Sequence, residues 1–543
     1  MDNTHQRSLR ALLEFAHSRY QDHPFLYFID GPGYTYGEFH SKAYETAGLL
    51  SRYGMRRGDM IGLLGQNMPN WGAAYFATSA FGMISVPMLP DFSESEIKHI
   101  LKHSEARALF VSRKLLHKVL DKAMDRLELV ICLDDFSIIK GSPCDNPETL
   151  PSEEDIQPDD LAAVIYTSGT TGSSKGVMLS HRNLCANLWS TEDVRPSFDW
   201  DVWLSLLPLS HTLECSMCLL LPMQAGASVY YMDKAPTPTV LMKALAQVRP
   251  TTILSVPLII EKVYKSSVLP KLTATPLMRL LYSFPPTRKM MNRKAGKQLM
   301  EKFGGRIRFF GIGGARLDPG VEKFLIEARF PYAIGYGLTE TSPLIAAATP
   351  EMVRLGSTGP VVKGVTVQLM NKDRKTGIGE IAVKGDNVTR GYFKNPEATE
   401  AAFTEDGWFL TRDLGRLDKD GWLYIKGRSS TTIIGPSGEN IYPEEVESVI
   451  NSHDMVSESL VTSKKGRLTA LVHFDKEKLK AFNTQEKLER LKKDLLEYVN
   501  QKVSKFSRIS EIDPQEEEFE KTATRKIKRY LYDGSRKKDK TSK

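Results

Sequence analysis

The sequence predicts an α/β protein: a large N-terminal domain of parallel-rich sheets layered with helices, a β-rich subdomain, and a smaller C-terminal α+β domain. Two observations favour this fold class. Short apolar runs alternate with amphipathic helical segments through most of the chain, and the pattern changes near residue 428. Such alternation is typical of βαβ units, whose strands run parallel. A length of 543 residues is enough for three or four compact units.

The elements of the N-terminal part follow from the period of the apolar residues. Short, mainly apolar segments at 60–64, 108–111, 129–133 and 307–310 predict buried strands. The segments 94–103 and 238–248 have the helical period and predict amphipathic helices between strands. From residue 356 to 424 short strands and glycine turns follow one another, which predicts the β-rich subdomain.

The C-terminal part has a different pattern. Pro443 stands where a helix over 443–450 begins, a position that suits proline. Two apolar runs at 456–462 and 468–474 flank a short Lys-Lys-Gly turn and predict a hairpin. A charged amphipathic helix is expected over 485–503 from the spacing of its apolar residues, which are Leu488, Leu491, Leu495, Leu496 and Val499. We therefore place the domains at 1–428 and 431–543, with a hinge at 429–430.

Composition narrows the class of protein. Residues 1–7 lack the apolar core of a signal peptide, and no run of about 18 apolar residues predicts a membrane span. An odd cysteine count of five suggests a reducing compartment, so a cytoplasmic location is expected. Cys215 and Cys218 have CxxC spacing, but no second pair completes a zinc site, and the leucine-rich run after them predicts buried core thiols.

The net charge is +7, and much of the excess lies in the basic C-terminal segment 521–543. We interpret this segment first as a solvated tail. Binding to nucleic acid is not expected, because no basic face interleaved with aromatic residues accompanies it. Weak peripheral contact with an anionic membrane remains the open alternative.

The segment 166–176 carries the strongest chemical signal. After the apolar run 161–165, six hydroxyl side chains, three glycines and one lysine stand between Thr167 and Gly176. Glycine lets a backbone approach a ligand closely, and successive N–H groups form anion-binding nests. A Walker A loop is excluded because Lys175 precedes glycine rather than Ser or Thr. A plain Ser/Thr/Gly surface loop stays open on composition alone. The candidate phosphate-binding residues are Thr167, Ser168, Gly169, Thr170, Thr171, Gly172 and Lys175.

The order of residues in this loop resembles the phosphate loop of the adenylate-forming superfamily, in which Ser174 stands at the usual proline. That superfamily includes acyl-CoA synthetases, luciferases and the adenylation domains of peptide synthetases. Further segments resemble its motifs in the right order and at ordinary separations, so that the likeness covers most of the chain. These segments are 208–211, 309–315, 335–341, 407–415, 424–428 and 521–529.

The resemblance implies a nucleotide site. Tyr336 is expected against the adenine face, Thr339 near the α-phosphate, and Glu340 as a carboxylate ligand of Mg²⁺, a cation that favours oxygen. Asp413 and Arg428 are expected at the ribose hydroxyls. A plain β-turn and a turn-capping aspartate are the structural alternatives. Further residues expected to bind ATP or AMP are Gly313, Gly314, Ala315, Gly337 and Thr341.

The resemblance also implies an acyl pocket, a catalytic lysine and a mobile C-terminal domain. His211 is expected beside the acyl group, although a lone histidine is usually a surface or core residue. Lys526 corresponds to the lysine that drives adenylation; Arg525 replaces the usual glycine before it, and a simple basic tail is the alternative. Ser430 falls at the hinge, where many relatives carry Lys or Asp.

Together these features predict a two-step ligase that uses ATP, Mg²⁺ and coenzyme A. The segment 433–445 and the ending around Lys526 look most like the fatty acyl-CoA synthetase branch, so a medium- or long-chain fatty acid is the expected substrate. One alternative is a ligase that charges an acyl carrier protein or activates an aromatic acid. A more distant one is a non-catalytic nucleotide-binding protein. Chain-length preference and oligomeric state are left open.

Overall fold

The computed structural model describes residues 7–119, 124–167, 174–234, 237–434, 439–464, 467–482, 484–522 and 526–532. Two large sheets, a five-stranded antiparallel sheet and a small C-terminal sheet account for most of the strands. The strands are β1 Pro24–Phe28, β2 Gly33–Thr35, β3 Met60–Leu64, β4 Ile84–Met88, β5 Ala108–Val111, β6 Leu129–Cys132, β7 Ile138–Lys140, β8 Leu161–Thr167, β9 Lys175–Ser180, β10 Val202–Ser205, β11 Ser228–Tyr231, β12 Thr252–Ser255, β13 Phe309–Ile312, β14 Tyr332–Gly337, β15 Leu344–Ala347, β16 Gly359–Pro360, β17 Val365–Met370, β18 Gly379–Gly385, β19 Phe409–Leu417, β20 Trp422–Arg428, β21 Ile433–Ile434, β22 Asn440–Ile441, β23 Val456–Lys464, β24 Arg467–Phe474 and β25 Glu511–Pro514.

Helices connect most of the parallel strands. The helices are α1 Leu9–Tyr20, α2 Tyr36–Arg52, α3 Pro69–Ser79, α4 Glu94–Ser104, α5 His181–Glu192, α6 Thr212–Cys215, α7 Leu221–Ala225, α8 Pro238–Val248, α9 Pro257–Val263, α10 Leu269–Leu272, α11 Pro276–Ser283, α12 Pro285–Lys302, α13 Pro319–Ala328, α14 Pro396–Glu400, α15 Pro443–Asn451, α16 Lys476–Leu479 and α17 Gln485–Lys502. A π-helical turn joins α6 to α7, and another joins α9 to α10. In the described parts of the chain, no helix has both the length and the apolar character needed to cross a bilayer.

The two large sheets are parallel except at their edges. The seven-stranded sheet has the order β7-β6-β5-β3-β4-β8-β9, and the eight-stranded sheet has the order β15-β14-β13-β12-β10-β11-β1-β2. Only the outermost pairs, β6/β7, β8/β9, β1/β2 and β14/β15, are antiparallel. Since parallel strands need crossover connections, which are usually helices, this arrangement confirms the α/β class predicted from alternating apolar runs.

The main hydrophobic core fills the space between the two large sheets. It takes Ile61 and Phe110 from the seven-stranded sheet, Leu26 and Trp203 from the eight-stranded sheet, and Trp71 from α3. Separate apolar clusters cover the outer faces, with α4 against the first sheet and α8, α9, α12 and α13 against the second. Both faces of each sheet are therefore buried, as parallel sheets require.

The remaining sheets match the other predicted regions. Strands β16 to β20 form a five-stranded antiparallel sheet, which confirms the β-rich region over 356–424. In the C-terminal part β23 and β24 form the expected hairpin, with α15 and α17 packed in one apolar cluster with this sheet. The strand predicted over 307–310 begins at Phe309 instead, where pairing with Thr252 of β12 starts.

Two other sequence predictions concern single features. Cys215 and Cys218 are free and buried, and burial raises the pKa of the Cys215 thiol to about 12. They are therefore inert core thiols, as the sequence predicts. The division of the chain at residues 428–430 stays a prediction; β20 ends at Arg428, and a 3₁₀ turn over Ser429–Thr431 follows it.

Candidate active site

The predicted phosphate loop connects β8 to β9. These strands pair in antiparallel register, with Thr167 opposite Lys175, so the loop begins and ends at one point of the sheet. The predicted phosphate-binding residues Ser168, Gly169, Thr170, Thr171 and Gly172 lie outside the described residues. Thr167 and Lys175 are described, and they fix where the loop leaves and rejoins the sheet.

Lys175 and Glu340 come together around the aromatic ring of Tyr392. The ammonium group of Lys175 lies 4.9 Å from the centroid of this ring, a cation–π distance. The Tyr392 hydroxyl donates to Oε1 of Glu340 at 3.0 Å. Burial raises the pKa of Glu340, while the Tyr392 hydrogen bond and the charges of Arg428 and Lys175 oppose the rise. This carboxylate is thus held in a partly desolvated place beside a positive charge.

Backbone crowding explains the glycine at the end of β14. A Cβ atom on Gly337 would lie 1.6 Å from the carbonyl oxygen of Pro343. A 3₁₀ turn over Thr339–Thr341 follows and places Glu340 beside Tyr392. The Thr341 side chain is buried, and its hydroxyl donates to Pro343 O at 2.6 Å. Thr341 therefore stabilises the turn, and its direct contact with a nucleotide stays a prediction.

Tyr336, Asp413 and Arg428 form a hydrogen-bonded group next to this turn. The Tyr336 hydroxyl donates to Oδ2 of Asp413 at 2.9 Å, and Nε of Arg428 lies 3.2 Å from Oδ1. Asp413 and Arg428 are register partners on β19 and β20. Burial raises the pKa of Asp413, and Arg428, Tyr336 and Lys526 oppose that rise. The group holds a buried carboxylate whose charge is partly compensated.

The predicted adenine wall, residues 313–315, lies at the carboxyl end of β13 in the eight-stranded sheet. Because β12, β13 and β14 are parallel, their carboxyl ends meet there, which is where ligands bind in open α/β sheets. The Gly313 amide donates to Ser255 O at 3.1 Å, and Gly314 takes a positive φ of 83°. Gly314 and Ala315 are exposed at this edge.

His211 begins helix α6 with its side chain turned inward. Its Nδ1 accepts from the Leu213 amide at 3.3 Å. Burial, together with the nearby charge of Lys526, lowers the pKa of His211 to about 4. The loop before it is fixed by Asn67, which donates to Leu207 O at 2.6 Å and accepts from the Leu209 amide at 2.8 Å. The imidazole is thus neutral at physiological pH.

Lys526 lies near the charged groups of Arg428, Asp413 and Glu340, although it comes from the far end of the chain. Its amide donates to Thr522 Oγ1 at 3.3 Å, and its carbonyl accepts from the Thr522 amide at 2.8 Å. The side chain keeps solvent contact, yet enough protein surrounds its ammonium group that desolvation lowers its pKa. Arg428 lowers the pKa further, and Asp413 and Glu340 raise it. Thr524 and Arg525 lie outside the described residues.

The predicted hinge residue, Ser430, is exposed in the 3₁₀ turn after β20. Thr431 beside it donates to Oε1 of Glu444 at 2.7 Å, across to helix α15. Glu444 in turn lies 3.7 Å from Arg529, and Arg529 also pairs with Glu447. The turn is thus tied to the C-terminal part through a carboxylate and an arginine.

The carboxylate oxygens of Glu340 suit a magnesium ion that is also bound by the phosphates of a nucleotide. Among the described residues, no group of three or more His, Cys, Asp or Glu side chains is arranged to hold a metal ion. Mg²⁺ is usually bound by one or two carboxylates together with substrate phosphates and water. One half-buried carboxylate near Lys175, where the predicted phosphate loop rejoins the sheet, suits that mode of binding.

The structure therefore brings together most of the predicted residues that it describes. A connected group is formed by contacts and by the effects of neighbouring charges on the pKa values of Glu340, Asp413 and Lys526; its other members are Lys175 and Arg428. Sequence reasoning missed Tyr392, Asn67, Glu444 and Arg529. Signals existed for Arg529, which belongs to the basic motif around Lys526, and for Glu444, which lies in the segment 433–445; Tyr392 and Asn67 stand in segments without a distinctive pattern.

Comparison with known proteins gives matches over most of the chain. A family profile for AMP-binding enzymes matches residues 13–393, and a profile for the C-terminal domain of AMP-binding enzymes matches residues 430–532. The chain is 30% identical to the peroxisomal long chain acyl-CoA synthetase 7 of Arabidopsis thaliana over 488 residues, which are 82% of this chain and 69% of that protein.

Two further matches are to proteins that are named for other acids. The chain is 29% identical over 460 residues to 4-coumarate–CoA ligase 3 of Oryza sativa subsp. japonica, covering 81% of this chain and 77% of that protein. The solved structure of O-succinylbenzoate coenzyme A synthetase (MenE) from Bacillus subtilis in complex with AMP superposes with a TM-score of 0.75. That likeness covers 96% of this chain and 97% of the other, at 25% identity.

Proposed function

Because this chain belongs to the AMP-binding enzyme family, we propose that it is an ATP-dependent acid–CoA ligase. In the first step a carboxylate attacks the α-phosphorus of ATP, pyrophosphate leaves, and an acyl-adenylate forms. In the second step the thiol of coenzyme A attacks the acyl carbonyl carbon, loses its proton, and AMP leaves. The relatives named as acyl-CoA synthetases and coumarate ligases support this reaction class.

The observation that carries the proposal is the position of Lys526. The charges of Arg428, Asp413 and Glu340 shift the pKa of Lys526, and Lys526 in turn opposes the rise in the pKa of Asp413, although Lys526 lies about 100 residues or more further along the chain. Two anions must approach in the adenylation step, so positive charge near the new bond stabilises the transition state. We assign that role to Lys526, with Lys175 holding the phosphates that leave.

The other residues bind and orient the substrates. Asp413, held by Tyr336 and Arg428, is the proposed acceptor for the ribose hydroxyls. Glu340 would hold Mg²⁺, which when bound neutralises phosphate charge. His211 stays neutral because its pKa is about 4, so it borders the acyl group without competing with Lys526 for the carboxylate.

The second step requires a different use of the C-terminal domain. Lys526 has no task in thioester formation, and in the described orientation it lies at the nucleotide residues. We propose that the domain rotates at Ser430 between the steps, a hinge motion of a known kind. The orientation described here fits the adenylation step.

For the acid, we propose a medium- or long-chain fatty acid. The Arabidopsis long chain acyl-CoA synthetase 7 supports this choice, as does the resemblance of 433–445 to that branch. An aromatic acid is the second candidate, which the coumarate ligase relative favours at nearly equal identity.

The decisive experiment replaces Lys526. In Lys526→Ala we expect acid-dependent ATP–pyrophosphate exchange to fall about 10³-fold, which is about 4 kcal/mol of barrier. Thioester formation from supplied acyl-AMP should persist, because that step does not use this charge. Lys528→Ala is the matched control, since Lys528 is a nearby lysine that lies 3.8 Å from Glu520. Normal exchange in Lys526→Ala would refute the assignment.

A substrate panel tests the acid and the acceptor separately. Pyrophosphate release is measured with fatty acids of increasing length and with 4-coumarate, and coenzyme A is compared with an acyl carrier protein as acceptor. We expect release with fatty acids and transfer to coenzyme A. Release with 4-coumarate alone would contradict the fatty acid assignment while leaving the reaction class intact. ATP binding without release for any acid would favour a non-catalytic nucleotide-binding protein.

A further inference from the structure

Helix α11 presents its apolar side to solvent. Leu277, Leu280 and Leu281 follow the i, i+3, i+4 spacing that places side chains on one face of a helix, and Phe284 comes directly after the helix ends. Their exposed fractions are 65%, 59%, 40% and 59%, and no residue of α11 is buried. In a surface helix this face normally packs on the core. Here it forms an apolar stripe on the outside of the protein.

The surroundings of this stripe are strongly basic. The segment 257–302, which contains α9 to α12, has ten Lys or Arg and two Glu, a formal charge of +8. The whole chain has +7, and the C-terminal segment 521–543 is the other strongly basic part. The exposed basic residues of 257–302 are Lys262, Lys271, Arg279, Lys289, Arg293, Lys294, Lys297 and Lys302.

Packing within the segment leaves these side chains outward. Helix α12 buries Asn292, Gly296 and Leu299, and a Cβ on Gly296 would lie 2.7 Å from the Cβ of Ala328 in α13. The opposite face of α12 carries Met290 and Lys294, and Met290 is 66% exposed. Because α11 and α12 are consecutive helices in contact, their exposed apolar and basic side chains lie on neighbouring parts of the surface, which we call the basic helical surface (residues 257–302).

We propose that the basic helical surface docks the protein on an anionic lipid bilayer. A helix with an apolar face and surrounding Lys and Arg lies in the membrane interface, with its apolar side buried among the lipids and its cations at the headgroups. The positive charge complements anionic lipids, whereas the apolar stripe gives no advantage on a nucleic acid backbone. The proposal goes beyond the catalysed reaction, because it is independent of the acid that is activated.

The surface also adjoins the candidate active site. The chain enters it directly from β12, whose Ser255 carbonyl accepts from Gly313 at the proposed adenine wall. On the same segment Lys265 donates to Asn451 O at 2.6 Å, which is in the C-terminal domain. Docking would therefore hold the candidate active site close to the bilayer.

Vesicle flotation with the full-length protein tests the proposal. We compare phosphatidylcholine vesicles with vesicles that contain 30% phosphatidylglycerol, at low and high salt. Each basic residue near such a surface is worth about 1 kcal/mol, which is roughly fivefold in binding. We expect binding to the anionic vesicles at low salt, much weaker binding to the neutral ones, and weakening as salt rises. Equal binding to both compositions, or none to either, would overturn the proposal.

Two sets of surface variants then locate the contact. Leu280→Glu with Leu281→Glu should lower vesicle binding at least about tenfold, because charged groups cannot enter the bilayer interior cheaply. Charge reversal at Lys289, Lys294 and Lys297 should lower it by more than about a hundredfold. The control reverses three exposed lysines of the C-terminal domain and should bind almost as well as the wild type; these are Lys476, Lys493 and Lys505.

Three results would contradict the location. The control could lose as much binding as the test triple, which would mean that net charge alone decides. The tail variant Arg536→Gln, Lys537→Gln, Lys538→Gln could abolish binding while the leucine variant binds normally. The leucine variant could instead change the oligomeric state and leave vesicle binding unchanged, which would make the stripe a protein interface. Thermal unfolding and pyrophosphate exchange with a water-soluble acid confirm that each variant is folded.

Discussion

The hydrogen bond from Tyr392 to Glu340 allows a sharp test of the candidate metal carboxylate. Tyr392→Phe removes the hydroxyl, which donates to Glu340 Oε1 at 3.0 Å, but keeps the ring that lies 4.9 Å from the Lys175 ammonium group. Burial already raises the pKa of Glu340, and this hydrogen bond opposes the rise. Its removal should therefore raise that pKa further.

The expected size follows from the strength of such a bond. A hydrogen bond to a charged group contributes about 1.5–3 kcal/mol. Its removal should therefore lower the ratio of ionised to protonated Glu340 at a given pH by a factor of about 10 to 150. If the ionised carboxylate is the active form, the acid limb of the pH–rate profile moves to higher pH. Well above that limb the rate should change little, because Glu340 is ionised in both proteins.

The assay is ATP–pyrophosphate exchange as a function of pH at saturating magnesium and again at limiting magnesium. Tyr392→Leu, which also removes the ring beside Lys175, should lower the rate at all pH values in addition to moving the limb. Tyr498→Phe is the matched control, because its hydroxyl bonds Ser452 in the C-terminal domain at 3.0 Å. Superposable profiles for Tyr392→Phe and wild type would refute the role assigned to Glu340 ionisation.

Two further predictions concern the scaffold around the site. Gly337→Ala should lower the free energy of unfolding by about 2–3 kcal/mol in urea titration, because its Cβ would meet the Pro343 carbonyl at 1.6 Å. Gly48→Ala, with no atom within 4 Å of the added methyl, is the control and should not destabilise. Buried His181 has a folded-state pKa of about 4, below its ordinary value of about 6.5, so its stabilising contribution is complete above pH 6.5 and is lost as pH falls toward 4. Between pH 7 and 5, His181→Asn should therefore lose about 2 kcal/mol less stability than wild type, and an equal loss in both proteins would contradict this.

Periodic sequence patterns were sufficient for most of the fold. Helix α8 spans the predicted residues 238–248, and the hairpin of β23 and β24 forms around the predicted turn, because local spacing decides which face of an element is apolar. The apolar face of α11 shows the limit of such reasoning. Its spacing is just as regular, but whether that face meets the core or the solvent depends on the packing of α10 and α12 around it.

The candidate site was predictable where a motif placed several functional groups in a short segment. Glu340 and Asp413 belong to such segments, and the charges of both act on the pKa of Lys526. Asn67 could not be found in this way, since it fixes Leu209 from 142 residues away. Tyr392 contacts Glu340, which is 52 residues earlier in the chain. This contact exists only because the segment around Tyr392 pairs with Val177 of β9 in the folded protein.

If Asp413 binds the ribose as proposed, its pairing with Arg428 would couple nucleotide binding to the orientation of the C-terminal domain. Arg428 is the last residue of β20, and its carbonyl accepts from the hydroxyls of Thr431 and Thr432 in the turn that follows. One end of the pair thus lies at the proposed ribose site and the other at the start of the hinge. By thermodynamic reciprocity, whatever factor domain rotation applies to nucleotide affinity, the nucleotide applies to the rotational equilibrium. The release of AMP and the return of Lys526 to the nucleotide site would then be linked by the same coupling free energy.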